Sequence, residues 1–313
     1  MSSVPVLDAA AVLRAVSPAR AVDAVRDAFV AHARGEWSMP PKVYVTNYPA
    51  GDFRAMPALG GGYALLKWIT SFPGNPAQGL PTVTGVVLVS DASNGQLRAV
   101  LDAASVTALR TGAAAVLACE VLGRADASSA AVIGAGVNGQ AAARTFLARG
   151  RSVSLWDVDA DRAARVAQEL GAEVAGSLEE ARAADVLVTV TPGHSVLLAA
   201  GTLRPGQHVS LMGADGPGKA EAAGSELARA RLFCDDWEQA SHGGELAHAV
   251  EDGLVTHADV TAIGDVLAGS APGRASDDEI TMFDSTGLAI QDLAIAIAAL
   301  GSAELAELPQ LQL

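Results

Sequence analysis

The stretch AAVIGAGVNGQ, residues 130–140, constrains the fold of this chain more than any other. An apolar run ends in Gly134-Ala135-Gly136-Val137-Asn138-Gly139 and passes into the helix-forming QAAARTFLA. Gly134 permits a tight turn, Gly136 lets the backbone approach a pyrophosphate, and Gly139 lets the helix pack closely on the strand. The helix N-terminus adds free N–H groups and the positive end of its dipole. A bare GxGxxG is a weak signal, but here a second apolar run, SVSLW, follows and ends at Asp157, 23 residues after Gly134. That is close to the roughly 20-residue offset at which a carboxylate binds the adenosine ribose hydroxyls. A carboxylate at that place repels a 2′-phosphate and no arginine follows immediately, so NAD is expected in preference to NADP. The alternative for Asp157 is that it only starts a turn or caps the next helix.

Around this loop the runs SAAVIGAG, SVSLWD, ADVLVTVTP, QHVSLMGAD and ARLFCDD alternate with helical text. Near-continuous apolar strands of this kind indicate a parallel sheet covered on both faces. Between Lys42 and Val100, the short runs VYVT, YALLKWIT and TVTGVVLVS are separated by Gly, Pro and Asn, which indicates an antiparallel-type sheet. Ser17 and Pro18 read as N-cap and first residue of a helix with Ala21, Val22, Val25, Ala28 and Phe29 on one face. Residues 103–122 predict one long helix. From Ile280 the text is helix-prone, and its GLAIQDLAIAIAAL is apolar almost all round, so it must be buried, against the first domain or a second subunit. The expected fold is α/β: a doubly wound Rossmann sheet, residues 114–289, inserted into a smaller α+β domain of residues 1–113 and 290–313. A length of 313 residues suits two domains.

Half the residues are hydrophobic but only 4% aromatic, which suits helix-on-sheet layers. The net charge of −14 repels phosphate backbones, so nucleic acid is not an expected partner. Cys119 and Cys234 lack metal-ligand spacing and read as small buried hydrophobes in a reducing compartment. The histidines His32, His194, His208, His242, His248 and His257 form no HExxH arrangement, and no metal is expected. No apolar run is read as approaching the roughly 18–20 residues of a membrane span. The N-terminus lacks a basic-then-apolar signal pattern, so a cytoplasmic location is expected.

Outside the glycine loop, the residues that could carry chemistry are cations in apolar text and a carboxylate at a strand end. Lys42, Arg54 and Lys67 lie in apolar, strand-like text. A guanidinium grips a carboxylate at two points, so Arg54 is the expected clamp, with Lys42 assisting and Met56 beside it. The alternative is strand-edge charges that keep a sheet soluble. Asp215 follows HVSLMG at a carboxyl end of the parallel sheet, where such folds bind ligands. It is therefore a candidate site residue, the alternative being a loop aspartate in the Gly-rich turn. Thr191, Met212 and Gly213, at the ends of the same strand runs, are candidate cofactor contacts.

Several phrases together resemble the ornithine cyclodeaminase/μ-crystallin family. They are FRAMPAL (53–59), LLKW (65–68), FPGNPAQGLPTVTGVVLV (72–89), DAASVTALRTGAAAVLA (102–118), GAGVNGQ, LMGADGPGKAE (211–221), GGEL (243–246) and APGRASDDEITMFDSTGLAIQDLA (271–294). The resemblance implies a dimerising substrate domain with an inserted Rossmann domain, hence a homodimer. It places Lys67 at the family's catalytic lysine and Asp215 at its catalytic aspartate. It also implies cofactor contacts at Arg110 and Thr111, and near the nicotinamide at Asn75 and Thr82, although Asn75 before Pro76 equally suits a turn. Ser285 and Asp292 belong to a matching motif, with a cofactor role for Ser285 or a purely structural one for both. Asn138 and Gly139 depart from the Gln and the Ala or Ser of many members.

The family's cyclodeaminases tend to carry a Glu two residues before the Met-Pro pair, where this chain has Arg54. The resemblance therefore implies NAD(P)H-dependent reduction of an imine to an amino acid. The imine is either preformed or made from a 2-oxo acid and an amine, as in alanine dehydrogenase. An ornithine or lysine cyclodeaminase and a non-catalytic, crystallin-like dinucleotide binder are the two alternatives. Retained Lys67 and Asp215 argue against the second.

Overall fold

The computed structural model describes residues 3–216, 218–301 and 303–313, with the side chains of Ala303 and Glu304 left aside. The chain forms two compact units, one running to Arg110 and resuming at Leu288, the other Thr111–Gly287.

Thr111–Gly287 is built on an eight-stranded sheet in which every pairing is parallel. Its order is Val260–Ala262, Arg231–Cys234, Thr281–Asp284, His208–Leu211, Val186–Thr189, Ala130–Ile133, Ser154–Trp156 and Glu173–Val174. The chain winds one way from Ala130–Ile133 through Ser154–Trp156 to Glu173–Val174, then crosses back to Val186–Thr189. Loops diverge at such a switch point and leave a crevice at the carboxyl ends of the strands. The four strands flanking this point on the crossover side are buried throughout, as their apolar text requires.

The helix-prone run expected from Ile280 is corrected here. Thr281–Asp284 is a strand deep in the parallel sheet, Gly287 turns the chain at φ +78°, and the helix is Ala289–Leu300. Four residues buried on both sides carry no periodicity that distinguishes strand from helix. The edge strand Val260–Ala262, half-buried and only three residues long, was also unforeseen, because it is too short to show a period.

The other unit carries a seven-stranded sheet in the order Gln310–Gln312, Ser3–Leu7, Leu97–Asp102, Val83–Asp91, Tyr63–Ser71, Gly51–Gly60 and Val43–Asn47. All neighbours are antiparallel except Ser3–Leu7 with Leu97–Asp102. Met56, Lys67, Val87 and Leu101 stand opposite one another across four strands, all buried. The helix Ala289–Leu300 packs against the strands Gly51–Gly60, Tyr63–Ser71 and Val83–Asp91 and against the helix Pro18–Ala33. Ser17 caps that second helix, with Pro18 in its first turn, and Ala21, Val22, Val25, Ala28 and Phe29 are its buried face.

Ala103–Leu122 is a single helix, and the division between units falls inside it. Its one glycine is a contact requirement, because a Cβ on Gly112 would lie 2.7 Å from the backbone of Ala141. At 20 residues this helix is long and apolar enough by composition to cross a membrane, contrary to the expectation that no run approaches that length. Residues 113–118 are fully buried, which is the pattern of a core helix.

Leu293 is wholly buried in the helix Ala289–Leu300. Leu293→Ala should cost about 2–5 kcal/mol through lost burial and the cavity it leaves, read as a lowered urea midpoint.

Candidate active site

The glycine loop joins the strand Ala130–Ile133 to the helix Val137–Ala148, whose N-cap, Gly136, brings no side-chain hydrogen bond. Gly134 has φ +111°, and a Cβ there would lie 2.7 Å from the carbonyl oxygen of Val190 on the neighbouring chain segment. A Cβ on Gly139 would approach the Gly134 carbonyl oxygen to 1.7 Å, so the Ala or Ser expected at this position elsewhere would force the loop to move. Over Gly136 there is nothing within 4 Å. The loop thus presents an uncapped helix start and an open cradle of the size a side chain would fill. Val137 stands at its rim, 69% exposed. Ala135 faces the other way: its N–H donates to Asp157 Oδ2 at 2.7 Å. Gln140, beyond Asn138 and Gly139, donates to the Ala135 carbonyl.

Asp157 follows the strand Ser154–Trp156 and is buried. Besides Ala135 it accepts from the N–H of Asp159, which caps the helix Ala160–Leu170, so the turn role and the glycine-loop contact coexist. No arginine follows Asp157 immediately, but that helix turns Arg162 back to 3.7 Å from its carboxylate.

The remaining candidates of this unit gather at the carboxyl ends of the central strands. Thr191 donates to Glu221 Oε1 through both its N–H and its hydroxyl, each at 2.7 Å. Met212 donates its N–H to Thr189, and Gly213 donates its N–H to Glu221 Oε2 at 2.9 Å. Asp215 accepts from Lys219 Nζ at 2.5 Å and is half-buried. Ser285 is buried and donates to Asp235, which also accepts from Thr286 and from the N–H of Gly287. Thr111 is buried, and its Oγ1 has no hydrogen-bond partner among the described residues. An orphaned hydroxyl, an open cradle and an uncapped helix start are what a bound dinucleotide would satisfy.

In the other unit, Lys67 is 1% exposed and pairs with Asp292 at 2.7 Å, itself fully buried. Lys67 also donates to Thr107 at 3.2 Å. Arg110, which the resemblance assigns to the cofactor, is placed in this cluster: its Nε lies 3.6 Å from Asp292 and its Nη1 3.5 Å from Gln291 Oε1. Burial pushes the Lys67 ammonium down from 10.5 to about 8. Asp292 opposes that fall, and the charges of Arg110 and Lys42 add to it.

Arg54 and Met56 share the face of Lys67, since Met56 stands directly opposite it and Arg54 is two residues along the same strand. Arg54 is held by Asp52, with Nε at 2.6 Å and Nη2 at 3.3 Å, and lies over the Tyr44 ring at 5.3 Å. Lys42 immediately precedes the strand Val43–Asn47. Asn75 and Thr82 close one loop: Asn75 donates to the Pro81 carbonyl, and the Thr82 carbonyl accepts from Phe72. Asn75 thus performs the turn role.

Asp52 and Glu221 were not among the candidate site residues, and Asp292 entered only as part of a matching motif. Asp52 was detectable as the i−2 neighbour of Arg54 on one strand face. Asp292 was detectable as a charge inside an otherwise apolar helix, which needs a partner.

A doubly wound parallel sheet with a glycine loop at its switch point, accompanied by a sheet with buried cations, defines a Rossmann-type α/β protein. The sequence model of the Ornithine cyclodeaminase/mu-crystallin family matches residues 4–304, and the chain belongs to that family. It is 43% identical over 288 residues to the alanine dehydrogenase of Archaeoglobus fulgidus, across 90% of this chain and 89% of that one. Among solved structures, an archaeal alanine dehydrogenase dimer with bound NAD matches with a TM-score of 0.93 at 40% identity, covering 99% of each chain. The iminosuccinate reductase of Paracoccus denitrificans in complex with NAD+ matches with 0.90 at 29%, covering both chains fully.

Gly136→Ala should fold as stably as the parent, because its Cβ meets nothing, yet bind NADH more weakly, read by thermal melting against fluorescence titration. Lys67 supplies a second test. Its folded value lies below that of a free lysine, so unfolding takes up a proton between about pH 8 and 10.5. Stability relative to Lys67→Met should therefore rise across that window. In Asp292→Asn, which removes the group that raises Lys67, the rise should begin at lower pH. Urea midpoints across pH check both.

Proposed function

We propose that this chain is an NAD(H)-dependent oxidoreductase that reduces an imine to an amino acid, the imine being either preformed or made from a 2-oxo acid and ammonia or an amine. The observation that carries the reading is a wholly buried lysine, Lys67, on the same sheet face as Arg54. Asp52 engages Arg54, and Asp292 engages Lys67 with Arg110 beside it. Cations gathered in this way suit an anionic substrate, and Arg54 stands where the family's cyclodeaminases tend to carry a Glu, so a cyclodeaminase is the weaker alternative. A binder without turnover would have no use for Lys67 and Asp215 together.

When bound, the nicotinamide dinucleotide supplies or accepts the hydride. The open cradle over Gly136 and the backbone of Gly134 to Gly139 would hold its pyrophosphate. Asp157 would take the adenosine ribose, which favours NAD, although Arg162 beside it leaves some tolerance for a 2′-phosphate. Thr111 would donate its free hydroxyl to the cofactor. Arg54, already oriented by Asp52 and Tyr44, would take the substrate carboxylate, with Lys42 assisting and Met56 lining the face. Lys67 would polarise the carboxylate or carbonyl-derived group as an ammonium. Asp215 would exchange the proton on the substrate nitrogen, with Lys219 as its ion-pair partner.

A homodimer in the cytoplasm completes the proposal. The sheet face opposite Lys67 carries Trp68, Leu66 and Val86, each 39–42% exposed, and the edge strand adds Val43 and Val45. This is the apolar surface of the unit suited to a second copy.

The experiment is NADH oxidation by the purified protein with cyclic imines, and with 2-oxo acids plus ammonia or amines. Asp215→Asn should lose about 100-fold or more in kcat, the usual worth of a positioned proton carrier, with NADH affinity retained. Arg54→Ala should raise KM about 10–100-fold, the worth of charge-assisted bonds to a carboxylate. Ammonia release from ornithine or lysine without added NADH would instead identify a cyclodeaminase.

A further inference from the structure

We propose that Glu221 is a positioning residue of this site. Its buried carboxylate ties the loops leaving two neighbouring parallel strands into one platform and so fixes where Asp215 stands. The inference rests on the function proposed above and adds a residue to it.

The strands Val186–Thr189 and His208–Leu211 run side by side with Thr189 opposite Leu211. Past their carboxyl ends the chain diverges through Thr191 and through Gly213. Glu221, with no solvent exposure, reaches both. Its Oε1 accepts from the N–H and the hydroxyl of Thr191, and its Oε2 from the hydroxyl of Thr189 at 2.7 Å and the N–H of Gly213 at 2.9 Å. Four donors fill the acceptor capacity of one ionised carboxylate. Burial pushes Glu221 upward, and the bonds from Thr189, Thr191 and Gly213 pull it back.

The approach is close enough to dictate a neighbour, since a Cβ on Gly213 would lie 2.4 Å from the Glu221 carboxyl carbon. Residues 213 and 221 are thus the neck of a loop that carries Asp215 and Lys219. The backbone of Glu221 is fixed as well. Its N–H donates to Glu245 Oε1 at 2.7 Å, and its carbonyl accepts from Leu197 and Leu198.

Glutamine cannot replace this group, because its amide nitrogen would face N–H or O–H donors in either orientation and leave them unsatisfied. A second buried carboxylate shows the contrast. Glu226 accepts from the N–H groups of Gly201 and Leu203 and from Arg229, none of them a candidate site residue. It serves as a matched control for the loss of a buried carboxylate.

The test compares the wild-type protein with Glu221→Gln, Thr189→Val and Glu226→Gln. It uses steady-state rates with NADH and with NADH deuterated at the transferred position, ADP-ribose titration, and amide hydrogen exchange with and without NADH. In Glu221→Gln, kcat should fall about 100-fold, the cost of misplacing a reacting group by about 1 Å. The deuterium effect should rise as hydride transfer becomes limiting, ADP-ribose affinity should be unchanged, and the amides of Thr191 and Gly213 should exchange faster. Thr189→Val should shift the same quantities less and carries the test if Glu221→Gln fails to fold. Glu226→Gln should lower stability while leaving kcat and the deuterium effect at wild-type values. Wild-type rates and exchange in a folded Glu221→Gln, or an equal kinetic loss in Glu226→Gln, would overturn the proposal. If the wild-type protein turns over no imine, the functional reading fails on its own. The exchange arm then still decides whether Glu221 holds the loops that NADH protects.

Discussion

The ion pair between Lys67 and Asp292 is the interaction on which one whole unit depends. Both groups are removed from water and stand 2.7 Å apart. Either alone would be a buried charge without a partner, and breaking such a pair typically costs about 3–5 kcal/mol. The helix Ala289–Leu300, apolar on nearly every side, has little reason of its own to prefer one rotation about its axis. Asp292 supplies that reason, because only one rotation brings its carboxylate to Lys67 and Arg110. The C-terminal stretch must therefore return to the sheet that the N-terminal stretch began, and everything between Thr111 and Gly287 becomes an insertion. The cation that fixes the return is also the one to which the proposed reading gives a part in the chemistry.

The Thr111–Gly287 unit uses buried charge differently. Its carboxylates, Glu221, Glu226, Asp235, Glu245 and Asp284, mostly accept from backbone N–H groups of loops rather than from cations. Loops at the ends of a parallel sheet have no ladder to join, and a buried carboxylate offers several acceptors at one point. Crowding such groups has a consequence. Burial pushes Glu245 up to about 8 and Asp284 well above the ordinary carboxylate range, each aided by neighbouring acids. Burial and mutual repulsion thus both favour the protonated forms in this cluster.

The parallel strands, the glycine loop and the long helix were legible in the sequence because each rests on local chemistry: apolar runs, glycines where backbones meet, and an alanine-rich stretch free of breakers. Lys67 and Arg54 stood out as cations in strand text. What stayed hidden depended on contacts far apart in the chain. Glu221 meets Thr191 thirty residues away, and no spacing rule relates them. Arg110 entered as a cofactor contact implied by resemblance, and no spacing rule pointed to Asp292, 182 residues on, against which its guanidinium lies. The strand Thr281–Asp284 was too short to show a period, and the pairing of the two chain ends, Ser3–Leu7 with Gln310–Gln312, had no local sign at all.

The charge state of Lys67 links the two uses of buried charge. An ammonium held near 8 by the balance of burial, Asp292, Arg110 and Lys42 is readily tipped. On the proposed reading, a substrate carboxylate arriving on the face shared with Arg54 would add a second anion, and an opposite charge at short range favours the protonated form. In a site with little water to screen it, the effect exceeds what the same pair would show on the surface. Lys67 would then be most firmly an ammonium when substrate is present, which is when polarising a carbonyl-derived carbon requires it. Without Asp292 the resting lysine would tend to lose its proton, and binding would have to recover it. The carboxylate that fixes the helix thus also favours the ammonium form of that lysine.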